Sequence, residues 1–186
     1  MPALKLHLQP SASRHTGPLP YAYGQCALGY FLAARGRTGL LALLIGDEQS
    51  ALLTELRQYF PQTQPRESAD DFSDALPRIA AHLDAPWAPL ALDLEAAGTP
   101  LQQRVWQALC AIPAGETRSY TQLADSLGLT SAVRAVANAC AANRLAVVVP
   151  CHRVLRNDGS ITGYRWGPAR KAVLLERERQ ARGQQP

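Results

Sequence analysis

The pattern of hydrophobic and polar positions in the first half of the chain predicts a small sheet with helices packed on it. Short apolar runs lie on both sides of a polar, glycine-containing segment, as in two strands joined by a turn. A later segment repeats leucines at helical spacing and stops at a proline, as in an amphipathic helix. The predicted elements are two strands within residues 27–45 around a turn at 35–39, a helix capped by Ser50 that ends at Pro61, a loop at 62–71, and a helix ending near Leu83. Pro77 must lie near the first turn of that last helix or cause a kink.

A proline-containing segment in the middle of the chain predicts a domain boundary. Two prolines flank Trp87 within residues 85–89, and a strand-like apolar run follows at 90–94. Prolines in such a segment interrupt regular structure and are typical of connections. We therefore predict one domain at residues 1–91 and a second at residues 92–186.

The second half opens with a strong helix-start signal. Residues 99–102 combine a threonine cap, a proline at the first helical position and a glutamine that can bond back to the cap. Apolar residues then recur at helical spacing until Pro113 and Gly115 stop the pattern. We interpret this stripe as core, formed by Leu101, Val105, Ala108, Leu109 and Ile112.

A helix, a short turn and a second helix follow. The first is predicted at about 120–127, the turn contains Gly128, and the second runs from about Ser131 to Ala142, with Thr130 or Ser131 as its cap. This order is the layout of a helix-turn-helix motif. On the second helix, Val133, Val136 and Cys140 share one face, and Arg134, Asn138 and Ala141 share the opposite one. The outward face suits close approach to a nucleic-acid groove, and an alanine-rich packing helix is the alternative.

Cys151 is the candidate nucleophile of the chain. The apolar run at 145–149 predicts a buried strand that delivers this cysteine rigidly. Its neighbours His152, Arg153 and Arg156 are the kinds of groups that favour the thiolate, which is the nucleophilic form of cysteine. These residues alone leave three classes of protein open: a thiol hydrolase, an acyl transferase and an alkyl acceptor.

The other cysteines and the composition predict a soluble intracellular protein. Cys26, Cys110 and Cys140 are expected to be inert small hydrophobes, and no pair of cysteines has CxxC spacing. The N-terminal segment contains no signal peptide or membrane span, and the four histidines do not combine with the cysteines into a metal-ligand spacing. We therefore expect reduced thiols and no metal.

Positive charge is concentrated in the second half of the chain, although the net charge of the whole is only +4. Residues 1–91 carry 7 basic and 8 acidic side chains, whereas residues 92–186 carry 12 and 7. This distribution suits a scaffold joined to a module that binds a polyanion. An ordinary basic surface is the alternative.

The sequence Pro150-Cys151-His152-Arg153-Val154 resembles the active-site motif of the O6-alkylguanine-DNA alkyltransferases, also called methylated-DNA–protein-cysteine methyltransferases. The resemblance covers nearly the whole chain and is closest to the repair half of the bacterial adaptive-response members. Further matches in order and spacing are Ser119-Tyr120, Arg134-Ala135-Val136, Asn143, Gly163-Tyr164-Arg165-Trp166-Gly167, Lys171, Leu174-Leu175 and Glu178.

The resemblance implies an α/β fold, with a ribonuclease-H-like sheet domain followed by a mostly helical helix-turn-helix domain that carries the cysteine. It also implies single-turnover transfer of an alkyl group from O6-alkylguanine, and from O4-alkylthymine, to Cys151. The partner is double-stranded DNA, and the protein is expected to be a cytoplasmic, nucleoid-associated bacterial monomer without a cofactor.

The resemblance further implies a role for each matching residue. The thiolate of Cys151 would form through His152, a water and Glu178, while Asn143 buttresses the turn and Tyr120 donates to N3 of the leaving guanine. Arg134 would fill the gap left by the flipped nucleotide. The remaining DNA-binding and base-binding residues are Ser119, Ala135, Val154, Arg165, Trp166 and Lys171.

Two other functions remain alternatives at this point. A thiol hydrolase using Cys151 and His152 would turn over ester or peptide substrates. A helix-turn-helix protein could instead recognise alkylated DNA without repairing it, although retention of Cys151 argues against this.

Overall fold

The computed structural model describes residues 5–10, 15–161 and 163–183, which belong to two compact units. The first unit comprises Met1–Asp84 and Ala88–Gly98, and the second comprises Ala85–Trp87 and Thr99–Pro186. The mixed α/β class predicted from the sequence is confirmed.

The first unit is built on one mixed sheet, which has six strands within the described residues. The elements of this unit are β1 (Lys5–Pro10), β2 (Gly17–Cys26), β3 (Gly29–Arg35), β4 (Leu40–Gly46), α1 (Gln49–Tyr59), β5 (Thr63–Glu67), α2 (Ala75–Asp84) and β6 (Asp93–Gly98). The strand order is β1-β6-β4-β3-β2-β5; β2, β3 and β4 are antiparallel neighbours, while the pairs β1/β6, β4/β6 and β2/β5 are parallel.

The two strands predicted around the turn at 35–39 are β3 and β4, so this part of the sequence prediction is confirmed. Six consecutive residues of β4, from Leu40 to Ile45, are buried. A strand that is buried along its length has both faces covered. One covering element is α1, which packs against β3 and β4 and contributes Leu52 and Leu56 to the core.

Two local predictions in this unit are wrong. The polar segment predicted as a loop at 62–71 contains β5, which pairs with β2 at the edge of the sheet. An edge strand tolerates polar side chains and a proline such as Pro65, so its pattern resembles that of a loop. The first helix begins at Gln49 after Glu48, whose side chain makes no capping hydrogen bond, and Ser50 is already helical. The placement of Pro77 in the first turn of α2 is confirmed.

The division between the units falls later than the predicted boundary between residues 91 and 92. The strand expected at 90–94 is β6, at Asp93–Gly98. This strand pairs with β1 along its length and with β4 at Leu94. Its backbone hydrogen bonds therefore hold residues up to Gly98 in the first unit.

The second unit is mainly helical. Its elements are α3 (Pro100–Cys110), β7 (Arg118–Ser119), α4 (Tyr120–Ser126), α5 (Val133–Ala141), β8 (Val154–Leu155) and α6 (Pro168–Gly183). The predicted capping box at the start of α3 is confirmed, because Thr99 and Gln102 each bond the other's backbone N–H. The buried indole of Trp106 in α3 donates to the carbonyl of Ala139 in α5 at 2.9 Å. This bond and the apolar stripe hold α3 against α5.

The two short helices α4 and α5 are joined by a turn at Gly128, whose φ of 69° lies in the left-handed region. The second helix begins at Val133, two residues later than predicted, and Ala132 provides no side-chain cap. Neither Thr130 nor Ser131 therefore caps α5. Val136 and Cys140 are buried as predicted, whereas Val133 is only half-buried.

The last helix, α6, buries one face that includes two charged residues. Lys171, Leu174 and Glu178 are buried, and their spacing of three and four residues puts them on one face. The helices in the described ranges all lack the combination of length and apolar character required to span a bilayer.

Candidate active site around Cys151

The segment before Cys151 is a series of tight turns, and the buried strand predicted at 145–149 is wrong. The N–H of Val148 donates to the carbonyl of Ala146 at 2.7 Å, which closes a three-residue turn centred on Val147. Val147 has a φ of 66°, which is strained for a β-branched residue. A continuous apolar run cannot by itself distinguish a buried strand from a buried turn.

Asn143 holds this turn and the thiol with one buried amide. Its Nδ2 donates to the carbonyls of Val149 at 2.8 Å and Leu145 at 3.2 Å, and lies 3.4 Å from Sγ of Cys151. Its Oδ1 accepts from the N–H of Leu145 at 2.8 Å. Because the Asn143 side chain bonds both the backbone of the turn and the thiol, the position of Sγ depends on the conformation of the turn.

The thiol of Cys151 is protonated at neutral pH in this environment. Burial raises its pKa to about 11, against the opposing effects of the hydrogen bond from Asn143 and the positive charge of Lys171. The expectation that Arg153 and Arg156 favour the thiolate is not met. Arg153 donates to Glu178, and the positive charge of Arg156 affects the pKa of Tyr120 instead. A base is therefore required to form the thiolate.

His152 directly follows Cys151 in the chain and is the candidate base, and its tautomer follows from its partner. The imidazole is fully buried, and its Nε2 lies 2.9 Å from Oε1 of Glu178. Burial lowers the pKa of His152 despite the opposing effect of the Glu178 carboxylate, so the ring is neutral at pH 7. An ionised carboxylate only accepts hydrogen bonds, so Nε2 carries the proton and Nδ1 is left as an acceptor. Among the described residues, Nδ1 has no hydrogen-bond partner.

Glu178 remains ionised although it is buried. Burial alone would raise the pKa of its carboxyl, but hydrogen bonds from His152 and Arg153 outweigh that effect and lower the pKa to about 2. Arg153 donates through Nε and Nη2, the latter at 2.8 Å from Oε1, and the N–H of Gly115 donates to Oε2 at 3.0 Å. The carboxylate is thus fixed from three directions and holds the imidazole in one orientation.

The role of Arg153 in this arrangement was missed in the sequence. Its Nη1 also donates to the carbonyl of Ile112 at 2.6 Å, so the guanidinium connects the end of α3 with α6. The indication in the sequence was the position of Arg153 directly after His152. Which way the side chain turns depends on where α6 lies, and no local pattern contains that information.

A cavity of about 10 Å³ lies against the thiol. This space admits about one water molecule. Tyr120 lies at the start of α4 and faces the cavity, and burial raises the pKa of its phenol to about 12. The phenol is therefore a hydrogen-bond donor at neutral pH. Cys140, which was expected to be an inert hydrophobe, is buried but also lines the cavity, and burial raises its pKa to about 12.

Tyr164 and Trp166 form an aromatic wall of the same cavity. Both are buried, and their rings meet edge to face with centroids 5.3 Å apart. Within the described ranges, neither the hydroxyl of Tyr164 nor Nε1 of Trp166 has a hydrogen-bond partner. The segment at 163–166 therefore lies beside Cys151 at this cavity.

The residues predicted to contact DNA fall into surface and buried sets. Arg134 and Ala135 lie in the first turn of α5, where Arg134 is exposed and makes no hydrogen bond or ion pair with any described residue. Ser119 caps α4, with Oγ accepting from the N–H of Gln122 at 3.1 Å. Arg165 is exposed, and its Nε donates to the carbonyl of Ala141 at 3.0 Å.

Lys171 and Val154 lie inside the unit. Lys171 is 1% exposed and donates through Nζ to the carbonyl of Val154 at 2.6 Å. Its ammonium is therefore enclosed near the thiols of Cys151 and Cys140, and the DNA-binding role of Lys171 stays a prediction. Val154 is fully buried, and its carbonyl retains a second lone pair for a further donor.

The part of the chain that the structure describes contains no group of three or more His, Cys, Asp or Glu side chains arranged to hold a metal ion.

The family model described as "6-O-methylguanine DNA methyltransferase, DNA binding domain" matches residues 100–180. The bifunctional transcriptional activator/DNA repair enzyme Ada of Escherichia coli is 48% identical over 168 residues, which are 89% of this chain. The matched region is 48% of that protein, so the chain spans about half the length of this curated relative.

Two crystal structures of Mycobacterium tuberculosis proteins resemble the fold over most of both chains. The O6-methylguanine methyltransferase superposes with a TM-score of 0.70 at 36% identity, covering 87% of this chain and 93% of that one. The OGT protein in complex with DNA superposes with a TM-score of 0.69 at 35% identity and the same coverage.

Proposed function

The chain belongs to the O6-methylguanine methyltransferase family, and we propose on that basis that it repairs DNA by moving an alkyl group from O6 of guanine onto Cys151. The observation that carries the proposal is a thiol that Asn143 holds and that is directly followed in the chain by His152, a buried histidine paired with Glu178. O4-alkylthymine presents the same kind of exocyclic oxygen and is the secondary substrate.

The chemistry begins with removal of the thiol proton. The proton of Cys151 passes through a water to Nδ1 of His152, whose Nε2–H remains bonded to Glu178. The imidazolium that forms is stabilised by the carboxylate. The thiolate then attacks the alkyl carbon, an S–C bond forms, and the C–O bond to guanine breaks.

The leaving guanine carries the electrons of the broken bond, and Tyr120 assists its departure. The phenol of Tyr120 faces the same cavity as Cys151 and is protonated at neutral pH. Donation from this hydroxyl to N3 of guanine disperses the negative charge that develops on the base. The product on the protein is a thioether, which has no good leaving group, so each molecule reacts once.

This single turnover is the direct test of the function. Excess duplex DNA containing O6-methylguanine should increase the intact mass of the protein by one CH₂, located by peptide mapping at Cys151. Cys151→Ala is the matched control and should gain no mass while still binding the duplex. Repeated turnover, or a methyl group on another cysteine, would contradict the proposal, and turnover on ester substrates would favour a thiol hydrolase.

DNA binding is proposed to use α4 and α5 as a helix-turn-helix motif, on a chain whose first unit is ribonuclease-H-like. The exposed start of α5 supports this, since Arg134 is free of partners among the described residues and Ala135 is small enough for close approach to the minor groove. Arg134 would fill the gap that the flipped nucleotide leaves, because O6 cannot be reached inside the stack.

The remaining contacts are proposed at the rim and wall of the cavity. Ser119 would contact the DNA backbone next to Tyr120, and Val154 and Arg165 would present backbone groups to the flipped base. Lys171 would act from inside the unit, since its positive charge lowers the pKa of Cys151 and so opposes the effect of burial. The protein is expected to act on DNA as a monomer.

Trp166 is proposed to limit the size of the alkyl group. The indole is 3% exposed and lines the small cavity beside Cys151, so a bulky group must compete with it for space. Overpacking a tight site costs about 1–3 kcal/mol, which corresponds to roughly a ten- to hundredfold slower reaction. Methyl transfer should therefore be faster than benzyl transfer by about this factor, and Trp166→Gly should improve benzyl transfer selectively.

The ratio of benzyl to methyl rates is the measurement, using matched duplexes and free O6-benzylguanine, because a general loss of folded protein cancels in the ratio. Trp87→Gly removes an indole that is 42% exposed and serves as the control. Equal benzyl and methyl rates in the native protein would show that Trp166 does not restrict the pocket.

A further inference from the structure

Tyr164 has a buried hydroxyl that has no role in the reaction steps described above. The residue is 7% exposed, lines the cavity beside Cys151, and its hydroxyl has no hydrogen-bond partner among the described residues. Buried hydroxyl groups are nearly always hydrogen-bonded, so an unpartnered one next to a reactive thiol calls for an explanation.

The surroundings of Tyr164 connect it to both ends of the proton transfer. Its ring meets the imidazole of His152 edge to face, with centroids 6.5 Å apart, while the residue faces the cavity that Cys151 also lines. Burial raises the pKa of the phenol well above its usual range, and the thiolate of Cys151, once formed, and the carboxylate of Glu178 add to that effect. The hydroxyl thus lies within electrostatic reach of the thiol and of the carboxylate that holds His152.

Two buried groups beside Cys151 therefore have unused hydrogen-bonding capacity. Nδ1 of His152 is an acceptor without a partner among the described residues, and the hydroxyl of Tyr164 can both donate and accept. The cavity admits about one water molecule, and a buried water is held by two to four polar partners.

We propose that Tyr164 is a positioning residue for thiol deprotonation, and that its hydroxyl holds the water which carries the Cys151 proton to Nδ1 of His152. This inference rests on the proposed relay between Cys151 and His152. The proton leaves sulfur for the water, and the water passes one of its own protons to Nδ1. The phenol itself keeps its proton throughout, in agreement with its raised pKa.

The alternative role for this hydroxyl is contact with the base, as proposed for Tyr120. A small methylating agent separates the two roles, because iodomethane needs the thiolate of Cys151 but no base recognition. Tyr164→Phe removes only the hydroxyl and preserves the packed ring, so the variant should fold, as an unchanged thermal unfolding midpoint would verify.

Methylation of Cys151 by iodomethane should be about tenfold slower in Tyr164→Phe than in the native protein at neutral pH. The deficit should shrink toward pH 10, because direct ionisation of a thiol with a pKa of about 11 then replaces the relay. Transfer from O6-methylguanine DNA should fall by a similar factor. Tyr120→Phe is the matched control, and it should slow transfer from DNA but not methylation by iodomethane.

Three outcomes would overturn the role of Tyr164: an unchanged iodomethane rate, a deficit that persists unchanged to pH 10, or a loss confined to the DNA substrate. The last result would assign the hydroxyl to the base. Failure of the proposed function is a separate observation, namely a native protein that takes no methyl group from DNA while Cys151 still reacts with iodomethane.

Discussion

At pH 7, His152→Gln should transfer the alkyl group about 100- to 10,000-fold more slowly than the native protein, as expected for loss of a general base. Its rate should then rise about tenfold per pH unit toward pH 10. Glutamine retains an N–H that can bond Glu178, but it cannot accept the thiol proton. Direct ionisation of Cys151 then becomes the route to the thiolate. Because its pKa of about 11 lies above this range, the fraction of thiolate rises about tenfold with each pH unit.

The native protein should behave differently over the same range. Burial lowers the pKa of His152, so the imidazole is already neutral at pH 7 and remains able to accept the proton as the pH rises. Its rate should be nearly flat above neutrality and should fall in acid, where the imidazole becomes protonated. A buffer series with single-turnover transfer from O6-methylguanine duplexes measures both profiles.

Duplex binding and thermal unfolding of His152→Gln control for a general defect. The imidazole is fully buried, so its replacement should leave the DNA-facing surface unchanged. A flat profile in the variant, at a rate close to native, would show that another group removes the proton.

Arg134→Ala should slow repair of duplex DNA about a hundredfold while changing the reaction with free O6-methylguanine base by less than about threefold. The difference arises because extrusion of a stacked nucleotide costs a few kcal/mol, of which a side chain filling the gap recovers a part. Free base requires no extrusion. The guanidinium lies on the exposed side of α5, away from the buried residues of that helix.

A control substitution at a second arginine tests whether the loss of a positive charge alone explains the effect of Arg134→Ala. Arg179 is exposed on α6 and paired with Glu176, so Arg179→Ala removes the same charge at a different place and should alter repair little. A duplex containing a mismatch opposite the lesion should partly restore the rate of Arg134→Ala, because the base is easier to extrude. Equal loss with duplex and free base would instead place Arg134 in the chemistry or the folding.

Local signals in the sequence predicted much of the framework. The capping box at Thr99, the hairpin around residues 35–39 and the proline in the first turn of α2 each depend on a few neighbouring residues. Their energetics are decided within one turn or one strand pair, so they can be read without knowledge of the fold. The five-residue motif around Cys151 also identified the candidate nucleophile.

Two elements were predicted wrongly, for different physical reasons. The strand β5 has a polar, proline-containing sequence and exists because β2 offers an edge for pairing. The turn at Val147 replaces a predicted strand because Asn143 bonds the backbone at Leu145 and Val149. The strand β5 therefore depends on a partner far away in the chain. The turn at Val147 depends on side-chain bonds to residues only two and six positions along the chain, which a pattern of apolar positions does not reveal.

By itself, the sequence determined the α/β class, the helices with strong caps, and the cysteine and histidine of the motif. Only the tertiary structure decided that Arg153 turns to Glu178, that Lys171 is enclosed near the thiol, and that burial raises the pKa of Cys151 to about 11. The physical reason is that a side chain's protonation and direction depend on desolvation and on charges brought close by folding. The sequence gives the types of residue around Cys151, whereas the packing of α6 against the turn at Cys151 determines their electrostatic environment.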